Sequence, residues 1–144
     1  MHSFETRANK QERAALFEVV STLRDVIDQL VSCHVPADRL KAVNESLQQS
    51  LLNLKQASKP SGRAMAYYDV NHDGALNDLQ PYSPFMGAFN PLAPPMACHM
   101  DGVRARGEVV FSLVYEGPPN SCHGGIISGM YDQVLALPGL QGGK

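Results

Sequence analysis

The sequence predicts an α+β chain, and three features favour this class. Apolar residues recur at three- and four-residue steps in the first third of the chain, which is helical periodicity. A period-two alternation follows Asp101-Gly102, the strongest short hairpin signal in the chain. A glycine pair at Gly124-Gly125 then precedes a third helical segment. We therefore expect two helices, an antiparallel β-hairpin and one further helix.

The first 60 residues are predicted to be a helical appendage. The first helix, of about 20 residues, is marked by an apolar stripe made of Leu16, Val19, Val20, Leu23, Val26, Ile27 and Leu30. Pro36 fits a break followed by the first turn of a second helix. The stripe of that helix consists of Leu40, Val43, Leu47, Leu51 and Leu54. We interpret residues 8–57 as an antiparallel helical hairpin that serves as a packing appendage, a partner-binding or oligomerising pair, or a membrane-surface helix.

Residues 61–80 are predicted to be a linker and a polar loop. Lys59-Pro60-Ser61-Gly62 has linker composition. In the loop 69–80, Asp, Asn, Asp and Gly fall at positions 1, 3, 5 and 6, as in an EF-hand or dockerin calcium loop. Gln80 stands at the last position, where such loops supply a carboxylate. The pattern favours a polar turn over a calcium site.

Extended segments follow. Leu92–Met100 has strand character, limited by Pro94-Pro95 to an edge or a strand start. From Val103 to Tyr115 one face is apolar and the other largely polar, which predicts one long, half-buried strand. The third helix is expected from Ile126 to about Leu137, ended by Pro138-Gly139.

Charge and cysteine content narrow the classes of function. The 144 residues carry 12 basic and 14 acidic side chains, a net charge of −2, which argues against nucleic-acid or anionic-membrane binding. We find neither a membrane span nor a secretory signal. Three widely spaced cysteines, Cys33, Cys98 and Cys122, suit reduced thiols in a cytoplasmic protein.

Two Cys-His pairs are candidates for a zinc site. Cys98-His99 and Cys122-His123 supply ligand types that zinc prefers. Adjacent residues lack the spacing that brings two side chains to one ion, because neighbours in a strand point to opposite faces. We expect no metal, and interpret Cys98 and Cys122 as small buried thiols.

The segment around the third helix start is the strongest candidate site. A loop enters the helix through Gly124 and Gly125, and a helix N-terminus favours negative charge. At 100° per residue, Gly125, Ser128, Gly129 and Asp132 share one face. This face suits close approach of a ligand to a carboxylate. The alternative is a solvent-exposed Asp132 with no such function.

His123-Gly124-Gly125 followed by Asp132, after a strand ending Tyr-Glu-Gly-Pro-Pro, resembles the hotdog-fold acyl-CoA thioesterases of the phenylacetate-degradation type. The upstream segments 81–87 and 90–96 also resemble a branch of that superfamily. The likeness covers about residues 80–144. In that family a curled antiparallel sheet wraps a central helix, and two subunits build the sites.

The resemblance assigns roles to individual residues. Asp132 would be the catalytic carboxylate, as a general base on water or as a nucleophile. Gly124 would offer its backbone N–H to the oxyanion, with His123 beside it. A second group would bind the acyl-CoA substrate: Gly125, Ser128 and Asn120. No cofactor is implied.

The spacing within the helix bears on the assembly. Eight residues separate Gly124 from Asp132, about 12 Å of helical rise, so both cannot easily reach one thioester carbon from one straight helix. We therefore expect a homodimer or a dimer of dimers.

Hotdog domains normally continue past the central helix with about three more strands, whereas this sequence ends at Lys144. Residues 81–144 are thus predicted to be the N-terminal part of a hotdog thioesterase domain, and the fold class a partial hotdog. The alternative function is a non-catalytic interaction protein that uses the helical hairpin and keeps a remnant thioesterase motif.

Overall fold

A computed structural model describes residues 10–57, 80–101 and 104–142. Across these ranges the chain is α+β, as predicted. Its elements, in order, are α1 (Lys10–Ser32), α2 (Ala37–Ala57), β1 (Ala97–Asp101), β2 (Arg104–Glu108), a 3₁₀ turn (Leu113–Tyr115) and α3 (Gly124–Gly142). The predicted linker and the possible calcium loop lie outside the described residues, except for Gln80. No helix within these ranges is long and apolar enough to cross a membrane.

Helix α1 packs against the C-terminal half of the chain. Its apolar stripe buries Val20, which is 3% exposed, and α1 contacts the 3₁₀ turn. Arg24, on the same helix, donates hydrogen bonds from its guanidinium to the carbonyl oxygens of Gly87 (3.1 Å) and Asn90 (2.9 Å). Charge-assisted bonds to backbone carbonyls fix α1 in register on the loop that holds those residues.

Helix α2 begins where Pro36 predicts it. The carbonyl oxygen of Pro36 accepts the first helical hydrogen bond, from the Leu40 N–H at 3.0 Å. Every residue of α2 is exposed, whereas α1 lies against the rest of the chain. Both predicted helices are therefore present, but the apolar face of α1 is used on the C-terminal half and that of α2 stays in solvent.

Strands β1 and β2 form a two-stranded antiparallel sheet. Its register pairs Ala97 with Glu108 and Asp101 with Arg104, so the predicted hairpin is present, with Asp101 as the last paired residue of β1. One face of the sheet is exposed, and the other packs on α3. A Cβ added to Gly107 would lie 2.8 Å from a methyl group of Val134, so the strand and the helix are in close contact.

The second strand is shorter than predicted. It ends at Glu108, and Leu113–Tyr115 is a 3₁₀ turn rather than the end of a long strand. The first strand begins only at Ala97, because Pro95 has no N–H and the N–H of Met96 donates to the Pro94 carbonyl at 2.7 Å. Beyond Glu108 no described strand lies beside the chain to form backbone hydrogen bonds with it. Alternating polarity alone does not make a strand without such bonds.

Helix α3 is longer than predicted, since it continues through Pro138 to Gly142. A proline removes its own N–H bond to the preceding turn, but here fully buried Leu137 anchors the helix at that point. Residues from the upstream loop, β1 and α3 form the core: Met86, Met96, Cys98, Met130 and Leu137. The helix is thereby held against the sheet, which positions its N-terminus at the candidate site.

Candidate active site at the N-terminus of helix α3

A loop that is closed by backbone hydrogen bonds leads directly into α3. Glu116 and Cys122 form an isolated antiparallel bridge, and the Gly117 N–H donates to the Ser121 carbonyl at 2.8 Å. The His123 N–H donates to the carbonyl of Tyr115 at 2.9 Å. These bonds fix where the helix begins.

Asn120 forms the turn of this loop. Its φ is 61°, in the left-handed region that asparagine tolerates better than most residues. Its backbone N–H donates to Oε1 of Glu116 at 2.7 Å. The structure thus shows a turn role for Asn120, and its assignment to substrate binding stays a prediction.

His123 caps helix α3. Its Nδ1 accepts a hydrogen bond from the Gly125 N–H at 3.0 Å, and its carbonyl oxygen accepts from the Ile126 N–H at 2.9 Å. Gly124 is exposed, and its N–H donates to no acceptor in the described part of the chain. Since the first N–H groups of a helix lack intrahelical partners, capping by His123 leaves the Gly124 N–H as a free donor at the positive end of the helix. Sequence reasoning missed this cap, because histidine is not among the residues that are preferred at helix N-caps.

Asp132 and Ser128 lie further along α3 and are both exposed. No ion pair or hydrogen bond joins the Asp132 carboxylate to the described parts of the chain. It follows Gly124 by eight residues, about 12 Å along the helix axis. A single α3 thus presents a backbone donor at its start and an unpaired carboxylate two turns later, without bringing them together.

The small-residue face of α3 is partly covered by the chain itself. A Cβ on Gly129 would overlap the ring of Phe85, so that ring lies directly on the helix backbone. Gln133 fastens the same loop, because its Oε1 accepts from the Ser83 hydroxyl and its Nε2 donates to Oε1 of Gln80, both at 2.7 Å. The glycine that suggested close approach of a ligand thus has a packing reason.

An apolar groove of about 430 Å³ runs between β2 and α3. Its helix side is lined by Ile127, Met130, Tyr131 and Val134. Ile127 is 39% exposed and Tyr131 68%, so apolar surface remains accessible in this groove. The groove can receive an apolar group of modest size.

A second, more polar cleft of about 640 Å³ separates α1 from the loop before α3. Burial lowers the pKa of Arg24 and raises the pKa of Tyr115, and the attraction between them partly offsets both shifts. The Tyr115 hydroxyl lies 3.4 Å from the Leu92 carbonyl, to which it donates. Oδ1 of Asp28, which also lines this cleft, is buried and has no hydrogen-bond partner within the described part of the chain.

The prediction that Cys98 and Cys122 are both buried is correct for Cys98 and wrong for Cys122. Cys98 is buried in the core, where burial raises the pKa of its thiol, but Cys122 is only half-buried and Cys33 is exposed. Among the described residues, no group of three or more His, Cys, Asp or Glu side chains could hold a metal ion.

Comparison with known proteins places the fold. No protein-family model and no curated protein sequence matches the chain. Among solved structures, the crystal structure of a thioesterase superfamily protein matches with a TM-score of 0.73 and 27% sequence identity, over 90% of this chain and 65% of that one. The fold is that of the thioesterase superfamily. The predicted partial hotdog is thereby confirmed, and the chain spans about 65% of the length of the thioesterase superfamily structure that it matches.

Proposed function

We propose that this chain hydrolyses acyl-CoA thioesters to a free acid and CoA. The observation that carries the proposal is the structural likeness to a thioesterase superfamily protein, which supports thioester chemistry at the superfamily level. The geometry at the start of α3 adds the specific roles. A fold alone does not determine function, so each role is argued from its own residue.

The N–H of Gly124 is the proposed oxyanion donor. It donates to no acceptor among the residues that the structure describes, and it lies at the positive end of a 19-residue helix. When water or a carboxylate attacks the thioester carbonyl, negative charge develops on its oxygen. A fixed N–H aimed at that oxygen stabilises the transition state more than the ground state.

Asp132 is the proposed catalytic carboxylate. As a general base it takes a proton from water while the water oxygen attacks the carbonyl carbon, and the thiolate of CoA then leaves. As a nucleophile it displaces the CoA thiolate to form an anhydride, which water hydrolyses to the free acid and the Asp132 carboxylate. Because Asp132 lies about 12 Å along the helix from Gly124, we propose that each site combines Asp132 of one copy with Gly124 of another, in a homodimer or a dimer of dimers.

The acyl group is proposed to lie in the groove between β2 and α3. The groove is apolar and reaches Tyr131, the residue that precedes Asp132 in α3. Ser128 and Gly125 lie on the exposed side of the same helix, where they can contact the CoA portion. Burial of apolar surface in the groove favours an acyl chain over a polar acyl group.

Thiol release from a panel of aromatic and aliphatic acyl-CoAs tests the proposal. We expect Asp132→Asn to lower kcat/KM by about 10²–10⁴-fold. Asp38→Asn, on exposed α2, is the matched control and should keep the wild-type rate. Equal rates for Asp132→Asn and the wild type would refute the role of Asp132, and no hydrolysis by the wild type would favour a non-catalytic interaction protein.

Gly124 allows a sharper test of the donor. Proline is favoured at the first position of a helix, so Gly124→Pro removes the N–H and preserves α3. Gly124→Ala retains the N–H, and its Cβ would meet nothing within 4 Å. We expect a loss of about 10²–10³-fold for the proline variant and little change for alanine.

Mixing two inactive variants tests the shared site. In a dimer of one Asp132→Asn chain and one Gly124→Pro chain, one of the two sites keeps both functional residues. Random exchange should therefore restore about a quarter of the wild-type activity. No recovery after confirmed subunit exchange would show that each site is built from one chain.

A further inference from the structure

Helix α2 carries an apolar stripe that stays exposed to solvent. It consists of Leu40, Val43, Leu47, Leu51 and Leu54. Each of these side chains keeps between 39% and 59% of its surface exposed. No residue of α2 is buried, and exposed apolar surface of this kind indicates an interaction site.

The spacing of the stripe is symmetric about its central residue. Its members follow at steps of three, four, four and three residues, so the pattern is the same from either end. A twofold axis at Leu47 would set Leu40 against Leu54 of a second copy and Val43 against Leu51 of a second copy. This self-complementarity is what a symmetric interface between identical chains requires.

Ser50 lies about 60° and Ser46 about 100° from the centre of the stripe, on the same side as Arg39, and both hydroxyls are already satisfied. The Ser46 hydroxyl donates to the Ala42 carbonyl at 3.1 Å, and the Ser50 hydroxyl donates to the Ser46 carbonyl at 2.9 Å. Burying these serines therefore leaves no hydroxyl donor without an acceptor. Their small size also allows a second helix to approach closely.

The charged residues of α2 lie away from the stripe. At 100° per residue, all of them lie about 80° or more from its centre: Asp38, Arg39, Lys41, Glu45 and Lys55. Cores of protein interfaces are depleted of charge in the same way. Three basic and two acidic residues do not give the strongly basic polar face of a membrane-surface helix.

We propose that α2 pairs antiparallel with the α2 of a second copy of this chain, about a twofold axis at Leu47. The helix is about 30 Å long, so the contact is at the small end of specific interfaces. Self-association through α2 is therefore reversible and depends on protein concentration. This surface is separate from the start of α3 and does not depend on the proposed activity.

Sedimentation velocity over a range of concentrations tests the pairing in the full chain. Leu47→Glu places two like charges against each other at the axis, and should raise the concentration at which the assembly dissociates by about tenfold or more. Leu52→Glu is the matched control, since Leu52 is 51% exposed but lies on the opposite side of α2. Identical dissociation of Leu47→Glu and the wild type would overturn the proposal.

Cross-linking gives a second measurement that does not depend on the affinity of the whole assembly. In a Cys33→Ser background, a short bis-maleimide should join two Leu47→Cys chains and leave Leu52→Cys at the level of the background protein. Equal yields for the two positions, or no cross-link at Leu47→Cys, would overturn the pairing. So would binding of the wild type to anionic vesicles in place of self-association.

Discussion

Gly129 and Gly139 lie on the same helix, yet the same change to alanine should have opposite effects on stability. A Cβ on Gly129 would overlap Cζ and Cε1 of Phe85 and would lie 2.8 Å from its Cε2. A Cβ on Gly139 would meet nothing within 4 Å. The backbone change is the same at both positions, so any difference in sign comes from the aromatic ring.

The magnitudes follow from two opposing terms. Alanine is favoured over glycine inside a helix by about 0.8–1.0 kcal/mol, which Gly139→Ala should gain. At Gly129 the ring of Phe85 must move from its place beside the core cluster, and full burial of such a side chain is worth about 1.5–3 kcal/mol. We therefore expect Gly129→Ala to lower the free energy of unfolding by about 1–2 kcal/mol.

Thermal and urea unfolding followed by far-ultraviolet circular dichroism measures both variants. With about 3–4 °C per kcal/mol for a chain of this size, Gly129→Ala should lower Tm by about 3–8 °C, and Gly139→Ala should raise it by about 3 °C. In a Phe85→Ala background the penalty at Gly129 should disappear. Stabilisation by Gly129→Ala in the wild-type background would refute the contact between Phe85 and α3.

Two further predictions concern Arg24 and the thiols. Arg24→Ala leaves the Gly87 and Asn90 carbonyls without their guanidinium donor, and should lower the free energy of unfolding by about 2–3 kcal/mol in urea titrations, whereas Arg39→Ala on exposed α2 should not lower it. An unchanged midpoint for Arg24→Ala would contradict the docking of α1. Because burial raises the pKa of the Cys98 thiol and lowers its thiolate fraction, iodoacetamide labelling read by mass spectrometry near pH 8 should modify Cys33 first and Cys98 last, and early modification of Cys98 would contradict its burial.

The local features of the chain were readable from the sequence. The apolar period predicts α1 and α2, and Pro36 predicts the break between them. Asp101-Gly102 predicts the hairpin, and the register confirms one whose strands end at Asp101 and begin again at Arg104. The glycine pair Gly124-Gly125 before an apolar segment indicates where α3 begins, and this signal is local. The residues that resemble a thioesterase motif lie in these local features.

The alternating segment after the hairpin shows where a local pattern fails. Polarity alternates as far as Tyr115, but a strand exists only where another strand offers hydrogen bonds. Because of Pro95 and the turn at Met96, β1 begins only at Ala97. Ala97 pairs with Glu108, so β2 ends there. Similarly, Pro138 weakens a helix locally, and the buried contacts of Leu137 outweigh it.

By itself the sequence determined the order of the elements, the hairpin turn and the glycine-led start of α3, since these depend on neighbours in the chain. Tertiary structure alone decided that Phe85 lies on Gly129, and that Arg24 bonds to the Gly87 and Asn90 carbonyls. It also decided that α1 is packed while α2 is exposed, although both carry similar stripes. The physical reason is that an apolar stripe shows which face of a helix is favourable to bury. Whether a distant segment packs on that face depends on the tertiary structure.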